Sequence, residues 1–208
     1  MTRGFKRIGA ALAAMTLSAS PALAHHVMGG RTVATFGEGL LSGLAHPVIG
    51  LDHFAAVVAV GCLAAAHRAA PALVIGFVLA MMAGVAVHLQ GASVPGAEIV
   101  VAVSVIALGV AMLRRRQMPI GAALALFVIV GLIHGYVLGE SIFGAERTPL
   151  AAYLLGLAVV QSAVALAARS VVRMLAHRTS DISPVRLVGA GIAGIGIAVL
   201  MQQIVPGV

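Results

Sequence analysis

The sequence predicts an all-α, polytopic membrane protein with a single helical bundle. Hydrophobic residues make up 61% of the 208 residues, and charged residues make up only 9%. A soluble domain carries roughly 25% charged residues, whereas the mean hydropathy of this chain is +1.11. Apolar runs of about 20 residues can cross a bilayer as helices. We therefore expect residues 25–208 to form one six-helix transmembrane domain in the lipid bilayer.

The first 24 residues have the pattern of a cleaved signal peptide. The positive n-region contains Arg3, Lys6 and Arg7. An apolar h-region runs from Ile8 to Leu17, and Ala22-Leu23-Ala24 provides a small-residue cleavage site. We expect cleavage after Ala24, with His25 as the mature N-terminus. An uncleaved anchor helix is the alternative, although the h-region is short for a span.

Six hydrophobic segments follow, and each is about 17–22 residues long. They cover residues 48–66, 71–90, 97–113, 118–139, 150–168 and 185–205. A short amphipathic segment, Phe36 to Ala45, precedes the first of them. Four prolines, at positions 71, 119, 149 and 184, lie close to predicted helix starts. A missing backbone N–H costs little there, so these prolines support the predicted boundaries.

Basic side chains are distributed unevenly between the predicted sides of the membrane. If the mature N-terminus is outside, the inner segments contain eight arginines, at positions 68, 114, 115, 116, 169, 173, 178 and 186. The outer segments contain only Arg31 and Arg147. The positive-inside rule thus supports a bacterial inner-membrane protein with both termini on the periplasmic side. These arginines are typical topology signals, and we expect no nucleic-acid partner.

Ionisable side chains gather in or near the predicted outer half of the membrane. Six of the eight histidines lie there, namely His25, His26, His46, His53, His88 and His134. The carboxylates on that side are Glu38, Asp52, Glu98, Glu140 and Glu146. An Asp at membrane depth costs ~2.5–3.5 kcal/mol on insertion scales. Side chains retained at such a cost usually serve a function.

We expect these side chains to bind a metal ion. The predicted ligands are His46, Asp52, His53, His134 and Glu140, and His25, His26 and His88 are possible capture residues. Imidazole suits Ni, Co, Cu and Zn, whereas carboxylates alone would favour Mg, Ca or Mn. The lone Cys62 excludes a thiolate-rich site. A borderline divalent transition ion fits this mixed set best.

The spacing of His46 and His53 leaves two possibilities open. On a straight helix the two residues would share a face, about 10 Å apart along the axis, which is too far for one ion to bridge. Either the backbone from Pro47 to Gly50 departs from a helix, or the two histidines serve successive stations on a path. Pro and Gly within a span are typical of a broken helix that lines a cavity.

Two segments resemble the signatures of the HupE/UreJ family. The first is His46-Pro47-x-x-Gly50-x-Asp52-His53, followed by Val60-Gly61. The second is His134-Gly135-Tyr136-Val137-Leu138-Gly139-Glu140, in which many members carry a second histidine where this chain has Leu138. The resemblance covers essentially the whole mature chain. It implies a nickel or cobalt permease that serves hydrogenase, urease or cobalamin metallation.

Each of these residues also has a structural interpretation. His46 and His88 could be interfacial residues, and His134 could simply be a hydrogen-bond donor between helices. Asp52 and His53 could satisfy one another. His25 and His26 could be a terminus without a site. These alternatives remain open at the level of sequence.

Three classes of function follow from the sequence. The first is a secondary permease for Ni²⁺ or Co²⁺ without a prosthetic group, because the chain contains no ATP-binding motif. The second is a non-transporting accessory protein, with a maturation partner docked on the arginine-rich inner segments or with a second copy of itself. The third is a membrane metalloenzyme, which no catalytic motif supports, so we expect no enzymatic activity.

Overall fold

A computed structural model describes residues 32–114, 116–178 and 183–205. Within these ranges the chain forms seven α-helices and one 3₁₀ helix, and no strand. The α-helices are α1 (Phe36–Ile49), α2 (Leu51–Ala64), α3 (Ala70–Leu89), α4 (Ala97–Leu113), α5 (Ile120–Leu138), α6 (Arg147–Arg178) and α7 (Ser183–Ile204). The 3₁₀ helix, Gly139–Ile142, follows α5 directly. The predicted signal peptide, its cleavage site, His25 and His26 lie outside the described residues.

Helix α1 has a defined start and a defined end. Thr35 caps it, since its Oγ1 accepts the backbone N–H of Glu38 at 3.2 Å. The Glu38 carboxylate in turn accepts the backbone N–H groups of Ala34 at 3.0 Å and Thr35 at 3.1 Å. At the other end, Gly50 takes an extended conformation (φ −70°, ψ 105°) and donates its N–H to the carbonyl of His46. Glu38 thus serves as a helix cap.

The first predicted span is broken in the structure. We expected a continuous segment over residues 48–66, but the helix stops at Gly50 and restarts as α2 with its axis bent by 79° from that of α1. His46 therefore lies on α1 and His53 lies on α2. The expectation that the two histidines lie about 10 Å apart along one straight helix is therefore wrong. The hypothesis of two successive stations relied on that separation, so the structure gives it no support.

Helix α6 is longer than the fifth predicted span. It covers 32 residues, Arg147–Arg178, whereas the apolar run ends near residue 168. Arg169 and Arg173, expected in an inner loop, lie on this helix instead. The hydrophobic pattern underestimates the length of the helix, because the polar residues after the apolar run also adopt helical conformation.

The described residues fit a multi-pass helical membrane protein. Four helices, α3, α5, α6 and α7, are long and apolar enough to cross a bilayer. The bent pair α1–α2 would be a fifth span if both helices belong to one crossing. Helix α4 is apolar but has only 17 residues. The number of six spans remains a prediction.

Small residues let the helices pack with their backbones in contact. A Cβ added to Gly135 on α5 would lie 1.9 Å from the carbonyl oxygen of Met81 on α3. One added to Gly43 on α1 would lie 2.1 Å from the carbonyl oxygen of Tyr153 on α6. Such approach is typical of small residues between membrane helices, and it fixes α3 against α5 and α1 against α6.

Helix α2 occupies the centre of the bundle. It is in contact with each of the other six α-helices, and its buried positions are mostly small, as in Ala55, Ala56, Ala59 and Gly61. Because Asp52 and His53 belong to its first turn, the break at Gly50 delivers them directly into the bundle interior.

Candidate metal-ion site

Two predicted ligands, His53 and His134, contact each other inside the bundle. The Nδ1 atoms of the two rings are 2.9 Å apart, and the ring centroids are 4.9 Å apart. His53 is 2% exposed and His134 is 0% exposed. One is the third residue of α2 and the other lies one turn before the end of α5. The fold thus joins two signature segments that are 81 residues apart.

A hydroxyl that sequence reasoning missed completes this cluster. Ser104 Oγ on α4 lies 2.8 Å from His134 Nε2, and it donates to the carbonyl oxygen of Val101 at 2.7 Å. Ser104 is 8% exposed. It is also the single hydroxyl residue of α4, in which every residue after Glu98 is otherwise apolar or glycine. This lone polar residue in an otherwise apolar stretch was the sequence feature that could have marked Ser104 as part of the site.

Counting donors assigns the protons of the two histidines. The one proton of the Ser104 hydroxyl goes to Val101, so Ser104 Oγ must accept from His134 Nε2–H. A charged imidazolium at this depth would be costly, so a neutral His134 keeps a lone pair on Nδ1. That lone pair accepts the Nδ1–H of His53. In this assignment, which rests on hydrogen bonding, His53 is the tautomer that carries its proton on Nδ1.

Asp52 places a carboxylate beside the His53 ring. Its Oδ1 accepts the backbone N–H of His53 at 2.8 Å and lies 3.6 Å from His53 Nδ1. The Asp52 side chain is 13% exposed, compared with 2% for His53. A carboxylate in the first turn of a helix is also favoured by the helix dipole. The negative charge therefore lies slightly closer to solvent than the histidine pair.

The break at Gly50 packs closely against this cluster. A Cβ added to Gly50 would lie 3.2 Å from Asp52 Oδ1, 3.3 Å from His53 Cδ2 and 3.4 Å from the carbonyl oxygen of His46. His46 is itself buried, with 4% exposure, on the face of α1 that packs against the bundle. A side chain at position 50 would therefore come into tight contact with Asp52 Oδ1 and the His53 ring.

Glu140 and His88 belong to a second region, a cavity of about 360 Å³. We call it the outer cavity because the sequence predicts that this end of the bundle faces outward. Its polar lining comes from His88, Ser93, Glu98, Tyr136, Glu140 and Gln203. Glu140 is exposed on the 3₁₀ helix. The His88 ring packs edge-on against Tyr136 at 4.8 Å between centroids. The Tyr136 hydroxyl donates to the carbonyl of Ala92 at 2.6 Å and accepts the N–H of Val94 at 2.8 Å.

The predicted ligands Asp52, His53 and His134 therefore lie together inside the bundle, and His46 is buried on α1. The predicted ligand Glu140 and the possible capture residue His88 instead line the outer cavity. In the described ranges, no three His, Cys, Asp or Glu side chains converge in a geometry that would hold a metal ion. Deeper along α6, Gln161 is 1% exposed and donates to the sulfur of Met81. Its Oε1 has no hydrogen-bond partner among the described residues.

The fold and this cluster define a class: a polytopic helical membrane protein with an imidazole–carboxylate site inside its bundle. Residues 13–199 match the sequence model of the family described as HupE / UreJ protein. The chain is also similar to Protein HupE of Rhizobium leguminosarum bv. viciae, with 32% identity over 137 residues, which are 65% of this chain and 68% of that protein. The chain therefore belongs to the HupE/UreJ family. No solved structure matches it.

Proposed function

We propose that this protein is a permease that takes up a divalent transition-metal ion, nickel or cobalt, for metalloenzyme maturation. The HupE/UreJ family is associated with nickel and cobalt handling for hydrogenase and urease, in an accessory or transport role. The single observation that carries the proposal is the buried contact between His53 and His134 beside the Asp52 carboxylate. Imidazole and carboxylate together suit such an ion.

The path we propose begins at the outer cavity. Glu98 and Glu140 give it negative charge, and His88 adds an imidazole. A carboxylate-rich mouth raises the local concentration of a cation. The ion then reaches Asp52 and His53, where lone pairs replace part of its hydration shell and offset the cost of burial.

The histidine pair has to rearrange for both rings to bind one ion. In the resting arrangement the Nδ1 lone pair of His134 is occupied by the Nδ1–H of His53. We therefore propose that His53 and the Asp52 carboxylate contact the ion first and that His134 positions the His53 ring. Inward movement of a 2+ ion across 100 mV releases ~4.6 kcal/mol, twice the value for one charge.

Uptake into vesicles that contain the purified protein tests this function. We expect accumulation of Ni²⁺ or Co²⁺ in preference to Zn²⁺ and Mn²⁺. Asp52→Asn should abolish uptake because it removes the charge and keeps the shape, and Glu146→Gln, an exposed carboxylate away from both groups, is the matched control. Metal binding without accumulation would instead support a non-transporting accessory protein, and normal uptake by Asp52→Asn would reduce Asp52 to a structural partner.

A further inference from the structure

The opposite end of the bundle contains a cavity lined by cationic side chains. It has a volume of about 320 Å³ and lies between the C-terminal ends of α2, α4 and α6 and the N-terminal ends of α5 and α7. Its polar lining side chains are His67, Arg114, Arg116, Gln117, Arg173 and Arg186. No acidic side chain lines it among the residues that the structure describes. Four guanidinium groups around one cavity favour an anion.

One of these arginines has an unmet hydrogen bond. The Nε atom of Arg186 is buried and has no partner among the described residues. A buried donor left without an acceptor is unfavourable, so an acceptor inside the cavity would stabilise this arginine. The planar guanidinium fork matches the oxygens of a phosphate group in a bidentate arrangement.

An apolar groove continues from this cavity along the outside of the bundle. It has a volume of about 420 Å³ and runs between α2, α6 and α7. Its lining side chains are apolar, among them Phe54, Val164, Leu175 and Val188. Cys62, Val172 and Val185 line both the groove and the cationic cavity. The two spaces therefore meet, and together they offer cationic donors at one end and an apolar channel at the other.

We infer that this combined space binds an anionic phospholipid, with its phosphate in the arginine-lined cavity and an acyl chain in the groove. A free phosphate would use the cavity but leave the groove without a role, whereas a zwitterionic lipid would bring a cation towards four arginines. Basic pockets between membrane helices on the cytoplasmic side are suited to anionic headgroups. The inference rests on the two adjoining spaces and is independent of the transported ion.

Native mass spectrometry of the full protein in a neutral detergent tests this site. The probes are phosphatidylglycerol, phosphatidylcholine and inorganic phosphate, each added alone. We expect retention of phosphatidylglycerol over phosphatidylcholine, and binding about tenfold weaker in Arg186→Gln because a charge-assisted hydrogen bond is lost. Arg116→Gln, in an exposed segment, gives a second variant that does not disturb a helix. Arg147→Gln, at the start of α6, is the charge-matched control.

A variant in the groove distinguishes the binding of a lipid from the binding of a free anion. Ala167→Phe fills the groove on α6, and Ala151→Phe, another exposed alanine of the same helix, is its control. We expect Ala167→Phe to weaken phosphatidylglycerol binding and leave phosphate binding unchanged. Equal binding of both lipids, or lipid binding that neither Arg186→Gln nor Arg116→Gln weakens, overturns the inference. Tight phosphate binding together with no effect of Ala167→Phe would show a free-anion site instead.

Discussion

The two ends of the bundle differ in the charge that they present. At one end, Glu98, Glu140 and His88 line the outer cavity. The Asp52 carboxylate, which is 13% exposed, lies beside the buried His53. At the other end, arginines surround the cavity, and no carboxylate lines it within the described ranges. A divalent cation is thus attracted at one end and repelled at the other. The comparison teaches that, if the protein is the permease we propose, an ion would meet different kinds of side chains at entry and at exit.

The membrane orientation of the protein gives the test of this comparison with the largest expected effect. The positive-inside rule places the arginine-lined end in the cytoplasm and Val208 outside. Reporter fusions at Gln117 and after Val208 should therefore report opposite sides, with Gln117 inside. If Gln117 is accessible from the periplasm, the carboxylates face the cytoplasm, and uptake through this path is excluded.

The next test compares one residue from each end. His53→Ala should reduce the initial rate of metal uptake by about a hundredfold or more, because it removes the ligand that offsets desolvation of the ion. Arg173→Gln, which changes the charge of the cationic cavity, should leave that rate within about twofold, since Arg173 contributes no metal ligand. Protein content of the membrane fraction serves as the control for both variants. Equal losses in the two variants would show that the ends are not functionally distinct.

A smaller effect is expected for Ser104, which acts through His134. Ser104→Ala removes the acceptor of His134 Nε2–H and frees the ring to change tautomer, so metal affinity should fall about tenfold. Ser170→Ala is a close control, since Ser170 donates to a helix carbonyl at 2.7 Å but is exposed on α6. The d–d spectrum of bound Co²⁺ should shift in Ser104→Ala. An unchanged spectrum and affinity would show that the hydroxyl only packs.

Substitution of Gly50 tests whether the backbone break between α1 and α2 affects metal binding. Its backbone conformation is accessible to alanine, but the new methyl group would press on Asp52 Oδ1 and on the His53 ring, at 3.2 and 3.3 Å. We expect Gly50→Ala to raise the half-saturating metal concentration a few-fold. Gly37→Ala, which meets nothing within 4 Å on α1, should change nothing. An unchanged half-saturating metal concentration in Gly50→Ala would mean that Asp52 and His53 can move away from the methyl group without loss of metal binding.

Substitution of Leu138 by histidine is expected to lower the stability of the protein without raising its affinity for Ni²⁺. A histidine there would add an imidazole one turn from His134, but Leu138 is 0% exposed and its carbonyl accepts hydrogen bonds from Ser141 and Tyr153. Leu138→His should lower the melting temperature, because an unpaired polar group is buried, at a cost of about 1–3 kcal/mol. Thermal unfolding with and without Ni²⁺ checks this. Stabilisation by Ni²⁺ beyond that of the wild type would contradict it.

Much of the helical fold could be predicted from sequence because the apolar runs and their flanking prolines carry that information. Helix α3, for example, covers Ala70–Leu89 where the sequence predicts 71–90. The same runs predict that His53 and His134 lie at membrane depth, but the contact between the two rings depends on how α2 and α5 pack. Ser104 was missed because a lone hydroxyl in an apolar helix can equally bond to its own backbone, as it also does here.

Two other features depended on local backbone geometry that periodicity does not report. The sequence left open whether the chain is helical between Pro47 and Gly50, and the answer is a helix that includes Pro47 and ends before Gly50. Glu140 follows His134 by six residues, yet the 3₁₀ helix after Leu138 places it at the outer cavity. A pattern of spacings cannot distinguish a continued α-helix from such a turn.

The length of α6 has a mechanical consequence for the membrane. At 1.5 Å per residue, its 32 residues extend about 48 Å, whereas the hydrocarbon core is about 30 Å thick. Tilting alone absorbs only part of this mismatch. In a bilayer, its arginine-bearing last turns would therefore lie outside the hydrocarbon core, at the level of the headgroups. A partner that contacts those turns would therefore contact the same continuous helix that packs against α1 and α2.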